Sequence, residues 1–160
     1  MKANHNKTEV NPSKRVLIVG GVAGGASCAA RLRRLDESAE IVVIDRGPYV
    51  SFANCGLPYY VGNVISDERS LLVASPELFR ERFDIKVHTD TEAVAIDRES
   101  RKLTIRDLRS GEQRTESYDA LVLSPGAAPI RPRLPGIDLP GVFAVRTIPD
   151  TRRIRSWIEE

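Results

Sequence analysis

Cys55 lies in the segment Ser51-Phe52-Ala53-Asn54-Cys55-Gly56-Leu57-Pro58-Tyr59-Tyr60, shortly after the glycine-rich run Gly20-Gly21-Val22-Ala23-Gly24-Gly25. A glycine-rich run between a strand and a helix is built to hold a dinucleotide. One thiol delivered beside such a site points to redox chemistry on sulfur. The only other cysteine is Cys28, so the usual pair of neighbouring redox cysteines is absent. The partner of Cys55 must then be a small molecule or an oxygen species. Reactivity requires the thiolate. Asn54 is read as the N-cap of a helix opening at Cys55, with Pro58 in its first turn, so that the helix dipole favours the anion. Gly56 lets a planar ring come close. The competing reading is a buried structural cysteine.

The turn itself has a fingerprint and one departure from it. Gly20, Val22 and Gly25 occupy the three glycine positions of G-x-G-x-x-G. The first permits the tight turn and the third lets the helix pack closely on the strand. The middle one normally lets backbone approach a pyrophosphate, and here it is valine. The free N–H groups and positive dipole end of the following helix still suit a phosphate. Asp45, twenty residues after Gly25, is placed to accept hydrogen bonds from ribose hydroxyls. A plain glycine-rich strand–helix turn is the alternative. On the helix that follows, Ser27, Arg31 and Arg34 share one face, while Cys28, Leu32 and Leu35 share another that should be buried. The arginines read either as compensation for the helix dipole or as an anion-binding stripe for a phosphorylated substrate. Cys28 reads as an inert core thiol.

The elements that position these residues form an α/β pattern. Arg15–Val19 is a short apolar run ending in glycine, hence a buried strand, followed by a helix over 26–35 and a second strand over 41–44. The two strands are expected to be parallel. Ser75 caps a helix with Pro76 at its first position, running to about Phe83, and residues 85–89 return as a strand. Residues 92–97, 102–107 and 113–118 alternate polar and apolar side chains across two turns, which predicts a three-stranded antiparallel meander with one face exposed. Residues 120–123 form another buried strand. Four prolines between Pro129 and Pro140 mark a crossover loop, 141–145 a brief strand, and 149–159 a final helix. The fold class is thus Rossmann-like α/β, a parallel sheet plus an antiparallel β-meander.

Composition narrows the setting. The chain has 160 residues, 41% hydrophobic and 29% charged, with a formal net charge of +2. That is enough for one domain with a core. Arg146, Arg152, Arg153 and Arg155 read as a solvated helix face; no nucleic-acid partner is expected, because no aromatic residues interleave with the basic ones. No apolar run reaches spanning length, so no membrane association is expected. No metal site is expected either. Residues 1–14 are polar and read as a disordered leader. Two cysteines make no disulfide framework and fit a reducing, cytoplasmic compartment.

Three stretches together resemble the flavin-dependent pyridine nucleotide–disulfide oxidoreductases, and within them the single-cysteine branch. That branch contains coenzyme A-disulfide reductases, NADH-dependent persulfide and polysulfide reductases, and NADH oxidases and peroxidases. The run Val19–Ala26 is similar to the coenzyme A-disulfide reductase turn, in which valine at the middle position is normal. Ser51-Phe52-Ala53-Asn54-Cys55 followed by Leu57-Pro58-Tyr59 is similar to its active-site motif. Tyr118–Ala127 resembles the family's second flavin motif. The resemblance covers roughly Arg15 to Glu160 and implies FAD as cofactor, with NADH or NADPH as reductant. It implies that Gly20, Gly21, Val22, Ala23, Gly24 and Gly25 contact the FAD pyrophosphate and that Asp45 and Arg46 face the adenosine ribose. Val94 would meet the adenine through its backbone, and Ser124 and Gly126 would line the far side of the cofactor. Cys55 matches the nucleophile. Ser27, Arg31, Arg34, Ser51 and Asn54 match coenzyme A-binding positions, which favours the anion-stripe reading. Near the position of a further substrate-binding lysine, this chain has Arg82 and Phe83.

The implied activity is reduction of coenzyme A disulfide, or of a persulfide or polysulfide, through Cys55. Two other readings stay open: an NADH oxidase or peroxidase cycling Cys55 through sulfenic acid, and a nucleotide-binding fragment without turnover. Family members continue into an NAD(P)H-binding domain and a dimerisation domain and act as homodimers. Residues 15–160 are therefore expected to be the N-terminal part of the FAD domain, with those later domains absent.

Overall fold

Alternate residues of the central strands serve two different cores. Val16, Ile18, Ile41 and Val43 point to one face of the sheet and Leu17, Val42 and Ile44 to the other, all buried. The structure, a computed structural model, describes residues 13–160. Strands β1 (Arg15–Val19), β2 (Glu40–Ile44), β3 (Ile85–His88) and β7 (Ala120–Leu123) form an all-parallel sheet in the order β3-β2-β1-β7. Helices α1 (Gly24–Leu35) and α3 (Pro76–Phe83) supply Ala26, Ala29 and Phe79 to the first core. The antiparallel strands β4 (Thr91–Asp97), β5 (Lys102–Asp107) and β6 (Gln113–Ser117) form a separate sheet, order β4-β5-β6. Leu103 and Ile105 of β5, both fully buried, close the second core. The result is three layers, helix, parallel sheet and antiparallel sheet, as the apolar periodicity requires.

A smaller third core carries the thiol. Phe52, Leu57, Leu71 and Ile148 pack together, drawing in Val22 from the glycine turn. Leu57 belongs to the short helix α2 (Leu57–Val61) and Ile148 to the final helix α4 (Ile148–Glu159). Two helix starts are set by side-chain caps and one helix end by backbone conformation. The Ser75 hydroxyl accepts the Leu78 N–H at 3.2 Å and caps α3. Thr147 and Asp150 form a reciprocal capping box at the start of α4. Asp84, in left-handed conformation, ends α3.

Several expectations are corrected. Leu35 is 66% exposed and is not part of the buried face of α1; Leu32 and Cys28 pack against the core, but the helix runs past its edge. Residues 141–145 form no strand. Among the described residues no strand lies alongside to pair with their backbone, and Phe143 instead packs edge-on against Trp157 of α4, ring centres 5.9 Å apart. A 3₁₀ turn at Glu68–Leu71 was not foreseen. The leader expected at 1–14 lies outside the described residues except for Ser13 and Lys14. These two are held: the Ser13 hydroxyl donates to Ser38 O at 2.7 Å and Lys14 O accepts the Glu40 N–H at 2.9 Å.

Candidate functional site

The glycine turn is shaped by contacts that admit no side chain. A Cβ at Gly20, whose φ is +92°, would lie 2.0 Å from the carbonyl oxygen of Ser124. One at Gly25 would lie 1.7 Å from the carbonyl oxygen of Gly20. The first contact brings the end of β1 against the end of β7, and the second seats α1 on the turn. Ser124 and Gly126 therefore stand beside the turn although a hundred residues separate them from it in sequence.

Helix α1 begins at Gly24 without any side-chain cap, whereas α3 and α4 are both capped. Its first N–H groups and its positive dipole end are left available. They open onto a cleft of about 580 Å³, lined at the turn by Gly20, Val22, Ala23 and Gly24, at β2 by Asp45 and Arg46, and after β7 by Ser124 and Gly126. That volume lies within the usual range for a small-molecule site. Small residues, exposed backbone donors and a free helix N-terminus are what a dinucleotide needs, so the residues present fit one. Gly21 and Gly25 are buried behind this surface.

Asp45 does more than the sequence suggests. Only 8% exposed, it accepts the Gly21 N–H at 2.7 Å on one carboxylate oxygen and the Gly47 N–H at 2.8 Å on the other. It fixes the glycine turn and keeps lone pairs toward the cleft. Arg46 is largely exposed and paired with Glu92 at 3.3 Å. Val94 does not line the cleft. It sits in a bulge of β4, where pairing passes from Ala93–Ile105 to Ala95–Thr104 and leaves Val94 without a ladder partner. The side chains that sequence reasoning missed come from the approach to α4 and its first residues: Arg146, Thr147, Ile148 and Pro149 border the cleft, as does Tyr49. Arg146 donates from Nε to Ala127 O at 2.7 Å. Thr-x-x-Asp after Arg146 does signal a helix start in the sequence, but nothing in it says which cleft the helix faces.

The thiol segment is tied directly to the glycine turn. Ser51 takes a left-handed backbone, φ +46°, costing about 1–2 kcal/mol for a residue with a Cβ. Its N–H donates to Gly21 O at 2.8 Å and its carbonyl accepts from Val73 at 2.9 Å. Beyond it, the expected helix from Cys55 is replaced by one 3₁₀ turn, Asn54–Gly56, with α2 starting only at Leu57. The cause is Pro58, which has no N–H to offer Asn54 O; Leu57 donates there instead. Asn54 caps neither turn and lines the cleft. Cys55 next to it is exposed, and Cys28 is only partly so.

Ser27, Arg31 and Arg34 do share an exposed face of α1, outside the cleft lining. Arg33 behaves differently: it donates to Phe83 O and Asp84 O at 2.8 Å and staples α1 to the end of α3. Among the described residues neither Arg31 nor Arg34 has a carboxylate partner within 4.0 Å. Arg82 is exposed and Phe83 packs against the main core.

Residues 14–159 match the pyridine nucleotide-disulphide oxidoreductase family. A coenzyme A disulfide reductase of Staphylococcus epidermidis is 42% identical over 144 residues, which are 90% of this chain and 32% of that protein. The structure of reduced CoADR-RHD from Bacillus anthracis superposes with a TM-score of 0.90 at 49% identity, covering 92% of this chain and 27% of that one. An NAD-dependent persulfide reductase from A. fulgidus gives a TM-score of 0.85 at 36% identity, covering 91% and 27%. The chain thus spans about a third of the length of the curated relatives it matches.

Proposed function

Because the chain belongs to the pyridine nucleotide-disulphide oxidoreductase family, we propose that it supplies the FAD cleft and the reactive thiol for reduction of coenzyme A disulfide or a related persulfide or polysulfide. One observation carries this reading. Cys55 is exposed on a turn whose neighbour Asn54 lines the cleft, and whose base at Ser51 is hydrogen-bonded to the glycine turn. Gly20 to Gly25 and the start of α1 would hold the FAD pyrophosphate, Asp45 and Arg46 the adenosine ribose, and Ser124 and Gly126 the far side; Val94, outside the cleft lining, is given no contact with the cofactor.

Cys55 acts as the nucleophile. Its thiolate attacks one sulfur of the substrate disulfide, the S–S bond breaks, and one coenzyme A leaves as thiolate and takes a proton. Cys55 and the other half of the substrate are left as a mixed disulfide. When bound, FAD supplies the electron pair, drawn from NADH or NADPH, that returns this mixed disulfide to two thiols. Ser27, Arg31 and Arg34 would engage the phosphates of the substrate, with Ser51 and Asn54 nearer the sulfur. Arg31 and Arg34 suit that role because no carboxylate of the described residues competes for them. Two free thiols fit a reducing, cytoplasmic compartment, and no described helix is long and apolar enough to cross a membrane. A homodimer is part of the same proposal.

The test is Cys55→Ser in the flavin-loaded enzyme. Serine keeps the size but cannot form a mixed disulfide. Disulfide reduction should fall to background while reduction of the flavin by NADH or NADPH persists. Full disulfide reduction by Cys55→Ser would refute the proposal.

A further inference from the structure

The 3₁₀ turn bearing Cys55 leads into a helix of five residues, too short to hold its shape alone. What holds it is α4, at two points. On the downstream side, Arg155 Nη1 donates to Tyr60 O at 3.1 Å, and its guanidinium lies 4.5 Å from the centre of the Tyr60 ring. A cation thus closes the C-terminal end of α2. On the upstream side, Arg152 grips Glu68 with Nε and Nη2, the first at 2.7 Å, and also donates to the Tyr49 hydroxyl. Glu68 opens the 3₁₀ turn that ends at Leu71, and Leu71 O accepts the N–H of Ala53, two residues before Cys55, at 2.7 Å. Phe52 and Leu72 form an antiparallel bridge at the same place. Ile148, one turn earlier on α4, is buried against Phe52, Leu57 and Leu71.

We propose that Arg152 and Arg155 are positioning residues for Cys55, gripping the thiol turn from α4 on both flanks. The proposal rests on the reading of Cys55 as the reactive thiol. Neither arginine lines the cleft, so their removal should act on the rate of the chemical step and not on substrate binding. Helix α4 is suited to this because its first turn borders the cleft while its next two turns hold the thiol arm. Cofactor site and thiol are thereby referred to one rigid element.

The experiment compares the flavin-loaded enzyme with its Arg152→Ala/Arg155→Ala variant by amide hydrogen exchange and by steady-state kinetics with coenzyme A disulfide. Exchange over residues 53–62 should quicken by about tenfold or more, with β1 and β2 unchanged. The kcat should fall about tenfold and KM stay within about twofold, as expected for a misplaced but unblocked nucleophile. Unchanged exchange over 53–62 would overturn the clamp. Faster exchange with unchanged kcat, or a loss expressed in KM, would overturn the positioning role. Should the double variant not fold, Glu68→Gln and Arg155→Lys decide the matter. The first removes the anion that Arg152 grips and should lower kcat about threefold; the second keeps a donor for Tyr60 O and should retain most of it. Wild-type kcat in Glu68→Gln would contradict the proposal. Cys55→Ser is measured alongside: activity there defeats the thiol reading itself, which the exchange data do not touch.

Discussion

Cys55 and Cys28 sit in one chain with opposite surroundings, one exposed next to Asn54 of the cleft lining and one packed against the main core. Cys28→Ser should leave turnover unchanged and cost about 1–2 kcal/mol, because a hydroxyl replaces a thiol on a packed face. A thermal melt with parallel kinetics checks this, and loss of activity with an unchanged melt would contradict it. Arg31 and Arg34 make a second pair. Changing both to Ala should raise KM for coenzyme A disulfide by about tenfold or more while flavin content stays constant. Each charge-assisted contact contributes up to about 1.5–3 kcal/mol before solvent screening reduces it. An unchanged KM would leave them as residues that offset the helix dipole. Residue identities were the most legible part of the site. Glycine spacing, the Ser-Phe-Ala-Asn-Cys run and the arginine face all stand in the sequence as local patterns. Asp45 was legible as an acid at the right spacing, but its bonds to Gly21 and Gly47 depend on how the chain turns after β2.

At the level of elements, the boundaries set by local chemistry were readable. Ser75-Pro76 and the alternation in β4, β5 and β6 each carry their own signal; Thr147 with Asp150 carries one as well, though the final helix was expected only from residue 149. What was not readable depended on partners far along the chain. The strand expected at 141–145 had the right residue types and no neighbour to pair with. The helix expected at Cys55 was undone by Pro58, whose effect on its preceding turn a capping argument overlooks. Gly25→Ala should test the turn: with a Cβ 1.7 Å from Gly20 O, the helix must move off the strand. We expect a stability loss of about 1–3 kcal/mol or more and loss of bound flavin absorbance. Normal flavin content in that variant would contradict the assigned turn.

The hold of α4 on the thiol arm has a pH signature. The hydrogen bonds from Arg152 keep the Glu68 carboxyl below the usual range, and Glu68 in turn raises the Arg152 guanidinium. A carboxylate with a depressed folded pKa contributes stability that is full above its unfolded value, about 4.3. That contribution is lost as pH falls through the lower, folded value. Melting temperature should therefore drop on acidification below about pH 4.3, and Glu68→Gln should flatten that part of the profile. An identical acid profile in Glu68→Gln would mean that the pair contributes nothing to the fold.

Taken as a whole, the molecule uses three layers to bring four distant stretches to one place: the turn after β1, the acid after β2, the end of β7 and the thiol segment. Layering was predictable, since β1 and β2 are apolar on both faces and β5 on one. The meeting of those stretches was not, because Ser51 reaches Gly21, and Leu71 reaches Ala53, through backbone hydrogen bonds that no side-chain pattern encodes. The proposed function requires this assembly to present Cys55, and not Cys28, to a disulfide substrate beside a flavin. Peptide mapping by mass spectrometry after the oxidised, flavin-loaded enzyme is incubated with coenzyme A disulfide tests it most directly. A coenzyme A mixed disulfide is expected on the peptide containing Cys55, removed by NADH or NADPH, and none on Cys28. Coenzyme A on Cys28 alone, or no adduct on either thiol in an enzyme that turns over, would contradict it.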